Sequence, residues 1–352
     1  MSASLAAVPD LDAEDDMSGL SEAERLALAR NIQNIRYNLG PHAVKALESP
    51  DVFELILCGT GQLWLDKVGE GLVPFVVDGV NQIMRPEAAM MLMSVIAPMI
   101  GEVLGEASAQ TPLASPILEG ELPLGGHRFE GVIPPVVERP IFAIRKKAGV
   151  IFTLDNYVGR GIMTMRQAEI IRQAIRDRAN IMVFGGTSSG KTTLTNAVLD
   201  EVAKIYPDHR VLIIEDTREL QCPVECVEYL RTRRNVNHRA LLRASLRLRP
   251  DRIVFGEVRD AAALDMLKAW NTGHPGGIAT GHADSPEEGL ERLDEMIQEV
   301  QQNSAAKMIG RAVDLVLFIE KDPSVKAGRR LKRILKVDRY DPVAQQYITQ
   351  DL

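Results

Sequence analysis

The order of apolar and polar positions along this 352-residue chain changes rhythm near its middle. Residues 1–20 are small, polar and acidic, with Asp10, Asp12, Glu14, Asp15 and Asp16 close together, which predicts a disordered tail. SEAERLALARNIQNIRYNLGP then reads as a helix. Ser21 and Glu24 have capping-box spacing, and Gly40-Pro41 closes it. DVFELILCGTGQLWLDKVG predicts two strands around a Gly-Thr-Gly turn. PEAAMMLMSVIAPMIGEVL predicts a helix, and HRFEGVIPPVVERPIFAIRKK predicts strands interrupted by prolines. Residues 21–146 therefore read as an α+β domain, and residues 147–161, within KKAGVIFTLDNYVGRG, as a linker. Beyond it, helix and buried strand take turns. MRQAEIIRQAIRDRA has helical periodicity, and NIMVFGG, RVLIIED, RIVFGEV and GIATGHA are short apolar runs with helical stretches between them. Such alternation predicts an α/β fold over residues 162–352, a mostly parallel sheet flanked by helices.

Composition narrows the picture. The length suffices for two cores, and 45% hydrophobic with 25% charged residues is ordinary for a globular protein. A net charge of −7 implies no general polyanion-binding surface. Three cysteines, Cys58, Cys222 and Cys226, suit a reducing compartment, and the last two lack a second pair that would complete a zinc site. The chain opens acidic, without the apolar core of a secretory signal. Its most apolar stretch, residues 88–101, is shorter than the roughly 20 residues of a spanning helix and contains Pro98. It is expected to be a buried helix, and the protein to be cytoplasmic with no transmembrane segment.

The chemistry starts at GGTSSGKTT, residues 185–193, which fits the phosphate-loop pattern between an apolar run and the helical stretch KTTLTNAVLDEVAKIY. Its glycines let backbone N–H groups turn toward phosphates, and the helix N-terminus adds positive potential. Gly185, Gly186, Thr187, Ser188, Ser189, Gly190, Lys191, Thr192 and Thr193 are thus candidate nucleotide-binding residues. Lys191 is expected to reach the β- and γ-phosphates of ATP, and the Thr192 hydroxyl to hold Mg²⁺. Hydrolysis also needs carboxylates at neighbouring strand ends. RVLIIEDTREL places Glu215 and Asp216 after one apolar run, and RPDRIVFGEVRD places Glu257 after another. Position alone does not say which polarises water and which supports the metal. His282 ends the apolar run of GHPGGIATGHA, where a side chain could sense a γ-phosphate, whereas His274 reads as a surface-loop residue.

Eight arginines lie between positions 231 and 252. They fit a nucleic-acid groove, although the run lacks aromatic stacking partners and gives no strong evidence for direct nucleic-acid binding. They also fit phosphate contact across a subunit boundary, or a solvated helix face.

Taken in order, GGTSSGKTT, IIEDTREL, LRLRPDRIVFGEVRD and GHPGGIATGHA resemble the Walker A, Asp box, Walker B and His box of the type II and type IV secretion ATPase superfamily. SPILEGELPLGGHRFEGVIPPVVERPIFAIRK is similar to the N-terminal domain of its conjugal-transfer branch, the TrbB-type ATPases. The resemblance covers about residues 22–345. It implies a RecA-like P-loop ATPase domain preceded by a smaller α+β N-terminal domain, in a homo-hexameric ring with ATP between the domains and near a neighbouring subunit. It makes Lys191 and Thr192 the phosphate and Mg²⁺ ligands, Glu257 the Walker B acid, Glu215 the Asp-box acid and His282 the His-box histidine. Arg128 and Arg145 take the places of N-terminal-domain arginines that reach the nucleotide, on resemblance alone. Gly281 departs from the family, which usually has an apolar residue there. The implied function is the ATP-hydrolysing motor of a conjugative type IV secretion system, docked on secretion-apparatus proteins and peripheral to the inner membrane. Its N-terminal domains would move with the ATP cycle about a hinge at residues 150–161. A type II secretion or pilus-assembly ATPase is the alternative within the superfamily, although the tetracysteine module often found in the type II branch is missing. A nucleic-acid-stimulated motor and a nucleotide-gated assembly scaffold are the alternatives outside it.

Overall fold

The computed structural model describes residues 21–67, 70–108, 110–111, 113–147, 151–233 and 236–352. The predicted tail, residues 1–20, lies outside them. The chain divides into two compact units, Met1–Gly149 and Val150–Leu352.

In the first unit, helices α1 (Glu22–Leu39) and α2 (Pro41–Glu48) precede β1 (Val52–Leu57), β2 (Leu63–Lys67) and β3 (Gly71–Pro74). The Ser21–Glu24 capping box is formed at the start of α1. A two-stranded ladder, β4 (Val76–Val77) with β5 (Val80–Asn81), leads to α3 (Pro86–Met99). A second, β6 (Val103–Leu104) with β7 (Ala114–Ser115), leads to β8 (Ile117–Glu121), β9 (Arg128–Val132) and β10 (Ile141–Arg145). Six of these strands form an antiparallel sheet in the order β3-β2-β1-β10-β9-β8. The apolar stretch around residues 88–101 is mostly α3. Its Ala89, Leu92, Met93, Ile96 and Ala97 recur at helical spacing and pack in one core with Ile35 of α1 and Leu55, Phe129 and Ile144 of the sheet. No helix among the described residues is long and apolar enough to cross a membrane.

The second unit opens with α4 (Leu154–Gly159) and α5 (Met165–Arg176), followed by β11 (Ile181–Phe184), α6 (Lys191–Ile205), β12 (Arg210–Glu215) and β13 (Cys226–Arg231). Then come α7 (His238–Ser245), β14 (Arg252–Phe255), α8 (Ala262–Asn271), β15 (Ile278–Gly281), α9 (Pro286–Gln298) and α10 (Ala306–Ala312). The strands β16 (Leu315–Lys321), β17 (Arg329–Asp341) and β18 (Gln346–Asp351) complete it. The sheet order is β13-β12-β14-β15-β11-β16-β17-β18. Pairings from β13 to β16 are parallel, and β17 and β18 extend the sheet as an antiparallel meander. Met182 and Phe184 enter one core and Ile181 and Val183 the other, so both faces of β11 are covered. This double burial is why its sequence reads as an unbroken apolar run.

Residues 148–150 of the expected linker lie outside the described residues, and over residues 151–161 the linker expectation is corrected. Thr153 and Asn156 form a capping box at α4, and Leu154 and Tyr157 are buried in the second unit's core. The Gly and polar residues that suggest a linker are the exposed face of a short, docked helix, so the hinge expected at residues 150–161 has no support within α4.

Candidate functional site

The strands β11, β12, β14 and β15 all end at one edge of the second sheet, where open parallel sheets place their ligands. Residues 185–190 leave β11 at this edge, and Gly190 caps α6 with φ +101°. Thr187 and Ser188 form the exposed tip of the loop, Ser189 is buried, and Thr192 and Thr193 are half-buried in the first turn of α6. Phe184, the last residue before the loop, stands opposite Gly281 in the β11–β15 register. A Cβ on Gly281 would lie 2.7 Å from the Phe184 ring, and one on Gly289 of α9 would lie 2.4 Å from its other edge. The departure at Gly281 is thus steric: Phe184 fills the volume that an apolar side chain would need.

Lys191 is buried. Its Nζ donates to the carbonyls of Gly185 at 3.0 Å and Gly186 at 2.9 Å, and lies 3.2 Å from His282 Nδ1. His282 follows β15, and its Nε2 is 2.8 Å from Glu257 Oε1. The other Glu257 oxygen takes the guanidinium of Arg259. Burial, and then the neighbouring Lys191 charge, hold the His282 pKa below its ordinary value. The network therefore assigns a neutral imidazole whose Nδ1 accepts from Lys191, while its Nε2 lies beside Glu257 Oε1, a buried oxygen that has no hydrogen-bond partner among the described residues. Three predicted residues, Lys191, His282 and Glu257, form one line across adjacent strand ends, and Arg259 extends it.

Glu215 has a different setting. It is 4% exposed, and its Oε1 accepts the N–H groups of Glu219 at 3.1 Å and Leu220 at 2.9 Å. Its side chain lies against Gly256, where a Cβ would stand 2.7 Å from Glu215 Cγ. Glu215 thereby folds the turn after β12. That turn presents Glu219, whose Oε2 accepts from the Thr192 hydroxyl at 3.3 Å. Asn196 of α6 ties the same turn down, donating to the Glu219 carbonyl and accepting from the Gln221 N–H. Glu219 and Arg259 are absent from the sequence-predicted site. Both stand within its motifs, four residues after Glu215 and two after Glu257. Asp216 accepts from the Thr232 hydroxyl at 2.7 Å and faces His238 Nε2 at 3.3 Å, holding the start of the arginine-rich segment.

A hydroxyl and a carboxylate oxygen at Thr192 and Glu219 make a hard-oxygen pair that fits Mg²⁺. The glycine loop, its helix N-terminus and Lys191 fit a triphosphate.

The arginine run does not act as one surface. Arg252 is 1% exposed and donates to the carbonyls of Gly276 at 2.8 Å and Ile175 at 3.1 Å, a core clamp. Arg239 pairs with Asp265, while Arg243, Arg247 and Arg249 are exposed beside half-exposed Leu246 and Leu248. Arg234 lies outside the described residues. Arg128 and Arg145 belong to the first unit and face each other across β9 and β10, with Arg128 donating to Glu119 at 3.2 Å. His274 is in the loop before β15.

The family described as Type II/IV secretion system protein matches residues 124–343. The chain is 43% identical over 311 residues to a probable conjugal transfer protein TrbB of Sinorhizobium fredii, covering 88% of this chain and 91% of that protein. It is 31% identical to the type IV secretion system protein VirB11 of Bartonella henselae over 66% of this chain and 76% of that one. Among solved structures, the Legionella pneumophila ATPase DotB superposes with a TM-score of 0.60 at 18% identity, over 91% of this chain and 82% of that chain. At that identity the likeness concerns the fold.

Proposed function

The chain belongs to the type II/IV secretion system protein family, and we propose that it is the ATP-hydrolysing motor of a conjugative type IV secretion apparatus. The observation that carries this reading is the line Lys191–His282–Glu257 at the sheet edge beside the phosphate loop, with Thr192 and Glu219 on its flank. The conjugal branch is favoured over the pilus and type II branches because the TrbB relative spans nearly the whole chain.

In this reading the loop N–H groups and the α6 terminus hold the phosphates of ATP, and Lys191 exchanges its contacts with the Gly185 and Gly186 carbonyls for phosphate oxygens. Mg²⁺, when bound, neutralises charge on the β- and γ-phosphates. Thr192 and Glu219 are the residues that would hold it. Glu257, fixed by His282 and Arg259, orients a water toward the γ-phosphorus and accepts its proton as ADP leaves. Glu215 positions Glu219 and takes no proton. Neutral His282 couples Lys191 to Glu257, so a change at the γ-phosphate is felt at the end of β15. We further propose a homo-hexamer in the cytoplasm, docked on apparatus proteins at the inner membrane. There Arg128 and Arg145, or the exposed Arg243, Arg247 and Arg249, reach phosphate at a subunit boundary.

The test is ATP turnover per subunit against protein concentration, with Lys191→Ala as control. Turnover that rises to a plateau and is lost in the variant supports a motor whose sites are completed by neighbours. Turnover that Lys191→Ala leaves intact sinks the assignment of the site. Nucleotide binding without turnover, alone or with apparatus partners, would favour the scaffold.

A further inference from the structure

The fold places a second cation on the phosphate loop. Arg329 opens β17, where it pairs with Lys321 of β16. Its guanidinium lies against Gly190: a Cβ there would stand 2.5 Å from Arg329 Nη1, 3.3 Å from its Cδ and 3.4 Å from its Cζ. Gly190 is both the last glycine of the loop and the N-cap of α6. A side chain at that position would displace the arginine even if it could adopt the left-handed backbone.

Arg329 is in an electrostatically unfavourable place. It is half-buried, and it adds positive charge to the positive end of the α6 dipole. The next three cations along the strand have acidic partners within the fold. Arg330 pairs with Asp322 at 3.0 Å, Lys332 with Glu320 at 2.9 Å and Arg333 with Glu287 at 2.7 Å. The Arg329 guanidinium makes no hydrogen bond or ion pair among the described residues. Tyr157 of α4 has a buried hydroxyl that feels the Arg329 charge and has no hydrogen-bond partner among the described residues. Nor is the strand loosely held at this point. Two residues on, the Leu331 N–H donates to the Ile162 carbonyl at 2.8 Å, and Gln167 Nε2 donates to the Leu331 carbonyl at 3.2 Å. A rigid element thus holds an unbalanced guanidinium on the loop, which is the arrangement a site needs when its balancing charge arrives with the ligand.

We infer that Arg329 is a nucleotide-binding residue supplied by the same chain, its planar fork contacting oxygens of the phosphate chain that the loop holds. The inference rests on the nucleotide reading of the site. It adds an anion contact that neither Lys191 nor the loop N–H groups provide, because a guanidinium can engage two phosphate oxygens at once whereas an ammonium acts as a point charge. It also gives the meander β16–β17 a purpose at the site beyond extending the sheet. As the contact comes from within the chain, it forms whatever the state of assembly.

The experiment compares full-length wild type, Arg329→Ala and Arg329→Lys by equilibrium binding of ADP and by thermal unfolding with and without ADP. Arg329→Ala is expected to weaken ADP about tenfold or more, and Arg329→Lys to recover only part of that. Without nucleotide, Arg329→Ala should melt at or above the wild-type temperature, because it removes an unbalanced cation, while the ADP-induced rise in Tm shrinks. ADP affinity unchanged in Arg329→Ala would overturn the inference. A nucleotide-free Tm that falls together with affinity would also overturn it, since Arg329 would then be holding the loop instead of the ligand. Wild-type protein that binds no ADP would remove the nucleotide reading itself.

Discussion

The sheet of the second unit and the sheet of the first keep their charged residues in different places. In β11, β14 and β15 every residue is buried, so no side chain along these strands can carry exposed charge. Polar chemistry is confined to positions just past the last apolar residue: Lys191 beyond the loop, Glu257 after β14, His282 after β15. In β9 and β10 buried and half-exposed residues alternate instead, and Arg128, Glu130 and Arg145 stand among them. Burying a sheet on both faces gathers its chemistry at one edge, and leaving one face open spreads polar groups along the strand.

Substitutions can break or sharpen this contrast. The largest effect is expected at the buried sheet's edge. Glu257→Gln should lower kcat about 10²–10³-fold, with ADP affinity little changed. Glu219→Gln should raise the Mg²⁺ concentration needed for half-maximal turnover. If both variants respond alike, the two acids do not divide the labour as proposed.

An intermediate effect belongs to the first unit, at His127. This residue is 6% exposed, and burial, then the charges of Lys146 and Lys147, push its pKa down to about 4. The folded chain holds the imidazole neutral, while the unfolded chain protonates it near pH 6.5. Between that pH and about 4, the unfolded state binds a proton that the folded state refuses. Stability is therefore lost as pH falls through this window, by up to about 3 kcal/mol. Urea unfolding followed by the fluorescence of Trp64, in a Trp270→Phe background, should show the loss, and His127→Gln should flatten it. An unchanged pH slope in His127→Gln would mean that other groups carry it.

The smallest effect is expected at Arg145. As an exposed strand-end residue, Arg145→Ala should alter stability by no more than about 0.5 kcal/mol. Any loss of turnover would then be functional. Normal turnover would return Arg145 to the surface it resembles.

The same contrast explains how much the sequence makes legible. The phosphate loop, the strand-end acids and the alternation of the second unit are legible because a buried strand leaves an unmistakable apolar run with an abrupt polar end. The capping box at Ser21 and the burial of α3 are legible from local spacing. Glu219 does not stand out, because only the folded turn reveals that Glu215 points inward and delivers its neighbour to Thr192. Arg252 is hidden among seven other arginines, and nothing in the run distinguishes a core clamp from a solvated charge. Arg128 and Arg145 give no signal of their own, since arginine on a half-exposed strand is unremarkable. Residues 151–161 mislead because a six-residue helix is too short for its period to show.

Phe184, Gly281 and Gly289 are three separate positions that share one parcel of space. With this arrangement an apolar residue at 281 fits only if the Phe184 ring shifts or is replaced by a smaller side chain. Equally, a chain with a bulky residue at 281 takes Phe184 only if one of the two shifts or shrinks. The two sizes are coupled even where both end points are well packed. Across related chains, size at 184 and size at 281 and 289 should therefore vary inversely, as one inherited character immediately before the phosphate loop.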